Sequence, residues 1–138
     1  MWYYCLEATF EEHSVRVFKT RWFARYSRRH GIGDAALCEA VARASGSIID
    51  AQLAGCVIKQ RIARAGDGRS GGFRAIVAFA PEVRSAFMFC FAKSDRANLT
   101  AAEERAFREL AALLLSYTDA ELAAALSTGA LVEVICNG

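Results

Sequence analysis

Residues 57–93 constrain the fold most, because there the apolar residues begin to recur every second position. Val57–Arg64 alternates, with Ile58 and Ile62 on one face and Lys59 and Arg61 on the other, the pattern of a half-buried strand. The next stretch, AGDGRSGG at 65–72, holds four glycines and reads as a loop, since so many glycines weaken either regular element. Phe73–Ala80 and Arg84–Lys93 read as strands joined by a tight turn around Pro81-Glu82. Their apolar runs place them in the middle of an antiparallel sheet covered by helices.

Helical periods flank this block. A short strand over Val15–Lys19 leads to Thr20, an N-cap for a helix to about Arg29 that His30-Gly31 closes. Trp22, Phe23 and Tyr26 form its apolar stripe. A second helix is expected from about Asp34 to Ala44, with Leu37, Ala40, Val41 and Ala44 as its core positions and Gly46 as its stop. Further on, Thr100-Ala-Ala-Glu103 is a capping box, followed by a stripe of Leu99, Ala106, Phe107, Leu110, Leu113, Leu114 and Tyr117. Thr118-Asp-Ala-Glu121 is a second capping box, opening a short helix that ends at Gly129. Leu131–Ile135 is a brief strand or an apolar tail. The order β-α-α-β-β-β-α-α predicts an α+β domain, with helices packed on a short antiparallel sheet.

A chain of 138 residues has room for one such domain. Residues 1–14, acidic and aromatic, share no periodicity with the strand that starts at Val15. They read as an N-terminal extension, with disorder an open reading and an upstream start codon one origin; the domain proper is 15–138. The start has neither the basic segment nor the cleavage site of a signal peptide. No apolar run approaches the ~20 residues of a membrane span. The expectation is a soluble, cytoplasmic protein with no membrane partner.

The five cysteines, Cys5, Cys38, Cys56, Cys90 and Cys136, are scattered, with no CxxC pair and only His13 and His30 to join them. Zinc needs clustered soft ligands, so no metal site and no cofactor are expected. In a reducing cytosol the cysteines read as small buried hydrophobes, with no disulfide.

The net charge of +2 conceals a segregation. Residues 15–30 carry Arg16, Lys19, Arg21, Arg25, Arg28 and Arg29 with no acid; residues 55–74 carry Lys59, Arg61, Arg64, Arg69 and Arg74 against Asp67 alone. Residues 97–138 hold six acids and two arginines. One basic and one acidic side suggest a polyanionic partner on the basic side, although charges that merely solvate a surface look the same.

If strands 57–64, 73–80 and 84–93 are neighbours, Lys59, Arg61 and Arg74 meet Lys93, Ser94, Asp95 and Arg96 around one patch. RNA cleavage through the 2′-hydroxyl needs a base, an acid and stabilisation of a crowded phosphate. No histidine lies in 55–96. A lysine whose pKa cationic neighbours lower could act as base while arginines hold the developing charge, or all of them could simply grip phosphates. The glycine loop is no P-loop; it is a plain connection, or its backbone N–H groups near Arg69 and Ser70 meet a phosphate. Phe73, Phe79, Phe87 and Phe89 read as core, and Phe91, nearest the cations, stays open as a base-stacking partner.

The run GCVIKQRIARAGDGRSGGFRAIVAF, followed by FAKSDRANL, resembles the RelE/ParE toxin superfamily, in particular its HigB-like RelE branch. The pattern is Lys59-x-Arg61, a glycine-rich loop, Gly72-aromatic-Arg74, an apolar strand and Ala92-Lys93-x-x-Arg96. VFKTRWFARYSRRHGI and DAALCEAVA resemble the family's opening strand and helices, so the likeness spans roughly 15–135. It implies a microbial-RNase-like RelE fold and the toxin of a type II toxin–antitoxin system. Such a toxin is a ribosome-dependent, metal-independent mRNA endoribonuclease (an mRNA interferase) that inhibits translation; its partners are the ribosome, mRNA and a cognate antitoxin, expected to be a helix-turn-helix protein that covers the basic face. The alternative is a ParE-like, non-nucleolytic toxin acting on DNA gyrase, or an inactive RNA-binding relative. By position, Lys59, Arg61, Arg74 and Lys93 correspond to the catalytic group; Arg64, Arg69, Phe91 and Arg96 are assigned to RNA binding. Where some relatives place a tyrosine, or a histidine with an aspartate, this chain reads KSDRANLT, which leaves Asp95 as the nearest acid.

Overall fold

The structure, a computed structural model, describes residues 15–64 and 72–136; the 1–14 extension, Arg69 and most of the glycine loop lie outside the described residues. The chain order is β1 (Arg16–Thr20), α1 (Arg21–His30), α2 (Asp34–Ser45), β2 (Ala51–Gln52), β3 (Val57–Arg64), β4 (Gly72–Ala80), β5 (Arg84–Ala92), α3 (Ala101–Ser116), α4 (Asp119–Thr128) and β6 (Leu131–Val134). The six strands form one sheet in the order β2-β3-β4-β5-β1-β6. It is antiparallel except where β1 lies parallel to β5, with Arg16 opposite Arg84 and Lys19 opposite Phe87. The α+β reading is correct. The antiparallel sheet with helices packed on it is also found, with one parallel pair added, because α1, α2 and the β2–β4 segments intervene and let β1 lie beside β5 in the same direction.

Local chemistry explains the boundaries. The Thr20 hydroxyl accepts from the Phe23 N–H at 3.2 Å and starts α1; Gly31, with φ +69°, closes it in the left-handed region that favours glycine. Both predicted capping boxes are complete, with Thr100 paired to Glu103 and Thr118 to Glu121. Glu82, at φ 63°, turns β4 into β5, and the Val83 N–H reaches the Ala80 carbonyl at 3.0 Å. β2 is too short to carry a period, so no pattern in the sequence announces it.

β4 is buried along its whole length because helices cover both faces of the sheet. Ile58, Ile62, Phe73, Val77 and Phe87 pack with Phe23 of α1 and with Leu37, Ala40, Val41 and Ala44 of α2. On the other face Val57, Ile76, Ala78, Met88 and Phe91 pack with Ala111, Leu114 and Leu115 of α3 and Leu122 of α4. The expected α3 stripe is therefore rotated: Ala111 and Leu115 are inside, while Ala106 and Leu113 are exposed. In α1, Trp22 lies at the surface and Ser27 is inside. Among the described residues no single helix is long and apolar enough to cross a membrane, although α3 and α4, bent by 114°, pass the test of length and composition together.

The expectation of no disulfide is overturned. Cys38 on α2 is bonded to Cys136, just past β6, with Cα atoms 5.7 Å apart. Asp34 holds the same junction: its carboxylate accepts from the Ile135 N–H at 3.0 Å and from Lys19 Nζ at 3.0 Å, tying the residues after β6 to α2. Burial would push the Asp34 carboxyl up, but these two donors hold it below the usual carboxylate range. Cys90 does behave as a buried hydrophobe, its thiol pushed up to about 12 by burial.

Candidate phosphate-binding site

The ladders set the predicted cations in rows. Arg61 of β3 is the direct partner of Arg74 of β4, which is the direct partner of Phe91 of β5. One step along, Lys59, Ile76 and Phe89 repeat the row. Residues two apart share a face and neighbouring strands lie about 4.8 Å apart, so Lys59, Arg61, Arg74, Phe89 and Phe91 occupy one side of the sheet. α3 covers the same side. It runs back along β5: its last turns meet the start of β5, where Arg84 Nη1 donates to the Leu114 and Tyr117 carbonyls at 3.0 Å each. Phe107, nearer its beginning, stacks on Phe89 at 5.2 Å.

Among the described residues Arg74 is the most enclosed cation, only 7% exposed, with Nη1 donating to the Phe73 carbonyl at 3.3 Å. Burial lowers its pKa, the Arg61 charge adds to this, and Asp50 opposes both. Arg61 is half exposed. Its main-chain N–H donates to Asp50 Oδ2 at 2.7 Å, and its Nε lies 3.9 Å from Oδ1 of the same carboxylate. Arg43 reaches Asp50 from α2 at 2.9 Å and also donates to the Arg61 carbonyl. Burial tends to raise the Asp50 carboxyl, yet the Arg61 N–H and Arg43 bring it below its usual value. Behind the row, buried Gln60 donates to the Ala40 and Ile48 carbonyls and accepts from the Asp50 N–H at 2.7 Å. The amide thus ties α2, the segment after it and β3 together, and fixes the carboxylate that faces the cations.

Two further side chains hold cations in place. Lys59 Nζ donates to Asn98 Oδ1 at 3.0 Å. Arg96 pairs with Glu103, and its guanidinium lies over Phe91 at 5.3 Å and Phe89 at 5.9 Å. The Thr100 N–H and Arg96 together lower the Glu103 carboxyl. Its role in the capping box was legible in the sequence; its grip on Arg96 was not. Asn98 sits inside the FAKSDRANL run, but its pairing with Lys59 across 39 residues has no local signal.

The structure brings Lys59, Arg61, Arg74, Phe91 and Arg96 into one patch. Phe91 is 5% exposed beneath Arg96, so a base can reach it only if Arg96 moves aside. Lys93 comes directly after β5, exposed, its main-chain N–H on the Gly72 carbonyl at 3.0 Å. Arg64 ends β3, but its side chain, like all of Arg69, lies outside the described residues. Asp95 is exposed in the turn after β5, its N–H on the Ala92 carbonyl. Among the described residues no hydrogen bond or ion pair joins its side chain to Lys59, Arg61 or Arg74. The patch can hold and polarise a phosphate, since its donors come from β3, β4 and the turn after β5 and are backed by fixed partners.

No curated protein and no solved structure matches the chain. A family model does, the RelE toxin of the RelE/RelB toxin–antitoxin system, over residues 15–134. That span takes in every described strand and helix, and the chain therefore belongs to the RelE family of toxin–antitoxin toxins, which gives it an antitoxin as partner.

Proposed function

We propose that the protein is an mRNA endoribonuclease of the HigB-like RelE branch, cutting messenger RNA on the ribosome and neutralised by a helix-turn-helix antitoxin that covers the patch. The observation that carries this reading is the row Arg61–Arg74–Phe91, which sets an enclosed guanidinium beside a second one. Neighbouring cations, one of them desolvated, repel each other, and a phosphate between them relieves the repulsion as it binds. A pentavalent phosphate carries more charge than the ground state and gains more from the same donors, which is how fixed donors accelerate a reaction.

In this reading Arg74 holds the scissile phosphate and Arg61 stabilises its developing charge. Lys59 keeps one N–H on Asn98 and has two left to position or activate the 2′-hydroxyl. Lys93 and Arg96, with Arg64 and Arg69, guide the flanking strand. The arginines supply the charge stabilisation that a metal would otherwise provide. The family membership supports an endoribonuclease, and the cation row supports RNA as its substrate.

The test is the Lys59→Ala, Arg74→Ala double variant expressed without antitoxin. Growth arrest and mRNA cleavage are expected to disappear. Cleavage that survives rules out this site, and growth arrest with intact mRNA and induced DNA-damage signalling supports a gyrase poison instead.

A further inference from the structure

Helix α1 has a feature that the catalytic patch does not absorb. Trp22, Tyr26 and His30 recur every four residues and stack along the helix, Trp22 on Tyr26 at 5.2 Å and 16°, Tyr26 on His30 at 4.1 Å and 28°. Phe23 and Ser27 fill the buried face of α1, and Tyr26 and His30 meet the core ring of Phe73 edge-on at 6.1 and 5.7 Å, while both ends of the stripe remain at the surface. Trp22 is 43% exposed and His30 is exposed. One position earlier on the helix runs a second stripe, Arg21, Arg25 and Arg29. Arg21 is spent on the Thr128 and Gly129 carbonyls. Among the described residues Arg25, Arg28 and Arg29 enter no ion pair, and no acid occurs between residues 15 and 33.

The stripe is continuous with the patch. Trp22 packs on Phe89 at 4.7 Å, Phe89 neighbours Phe91 at 6.2 Å, and Phe91 is the ladder partner of Arg74. An aromatic track therefore runs from the enclosed arginine out to the surface of α1, bordered by the arginines of the second stripe. Aromatic faces that take bases, beside cations that take phosphates, are how proteins hold single strands without reading sequence. An acidic protein segment would satisfy the arginines but make no use of the exposed face of Trp22.

The geometry points to α1 as an exit platform for single-stranded RNA, with a base stacked on Trp22 and the backbone on Arg25 and Arg29. This rests on the reading of the patch as an RNA site, and it assigns the platform to the strand flanking the scissile phosphate.

The experiment uses the full chain carrying Trp2→Phe, so that Trp22 is the one tryptophan, and a short oligouridylate as probe. Quenching of Trp22 fluorescence is expected as the oligonucleotide binds. Trp22→Leu, which keeps an apolar contact with Phe89, is expected to weaken binding roughly tenfold by anisotropy. Arg25→Gln with Arg29→Gln leaves the packing untouched and is expected to flatten the salt dependence of log K by about 0.7 for each lost phosphate contact. Silent fluorescence, or unchanged affinity and salt slope in these variants, overturns the platform even if Arg74→Ala abolishes cleavage. Cleavage that survives Arg74→Ala while the α1 variants lose oligonucleotide sinks the catalytic reading and leaves the platform standing. Variants that lose the antitoxin but keep RNA make α1 a protein-docking surface and overturn the proposal.

Discussion

The two faces of β3 solve the same problem in opposite ways. On the inner face Gln60, 1% exposed, is the only polar side chain between Ile58 and Ile62, and both ends of its amide meet main-chain partners. On the outer face Lys59 and Arg61 stand beside Arg74, and carboxylates from other elements hold the cations in place: Asp50 serves both Arg43 and Arg61, and Glu103 is taken by Arg96 and the Thr100 N–H. Where the fold needs a polar group it supplies the partners from within. Where it gathers cations on adjacent strands, it builds a surface whose chemistry suits a phosphate. The core and the proposed site thus draw on alternate residues of a single strand.

That contrast is open to attack from both sides. Gln60→Ala leaves two carbonyls and the Asp50 N–H without their partner and is expected to cost about 2–4 kcal/mol, read as a lower urea midpoint. A loss within about 0.5 kcal/mol breaks the claim that the inner face is structural. Removing the Cys38–Cys136 bond with Cys38→Ser frees a loop of 98 residues and should cost about 2–4 kcal/mol on the same scale, without touching the patch. If RNA binding falls in a protein that remains folded, the two regions are coupled after all.

Asp50→Asn is expected to cost about 1–2 kcal/mol at neutral pH. Because the folded-state pKa of Asp50 lies below its ordinary 3.8, its contribution is present above that value and is lost as pH falls through the folded pKa. The variant should therefore show a shallower acid-side loss of stability in that window, measured by thermal melts across pH. Lys59→Met sits at the small end for stability, within about 0.5 kcal/mol. It should nevertheless abolish toxicity in a growth assay, the reverse of Gln60→Ala.

Strand parity explains why the patch was legible in the sequence. The alternation of Val57–Arg64 puts Lys59 and Arg61 on one face, and the order β3-β4-β5 then carries Arg74 and Phe91 into the same row. The core of α2 was legible for the same reason: Leu37, Ala40, Val41 and Ala44 follow a period that burial imposes. What escaped depends on contacts that no local period encodes. Cys38 and Cys136 meet where β6 pairs with β1 and Asp34 captures the Ile135 N–H, and the direction of β1 beside β5 depends on how the chain returns across the sheet. Trp22 and Phe23 look alike in a sequence, and only the docking angle of α1 decides which one is buried.

Everything proposed for the patch depends on the enclosed arginine of β4 working on phosphate. Cleavage of mRNA on programmed ribosomes by purified protein decides this, comparing Arg74→Ala with Arg105→Ala, an exposed cation on α3 that belongs to none of the ladder rows. Arg74→Ala is expected to lose roughly a hundredfold or more, with Arg105→Ala close to the parent. Equal cleavage by the two variants, both folded, would contradict that assignment.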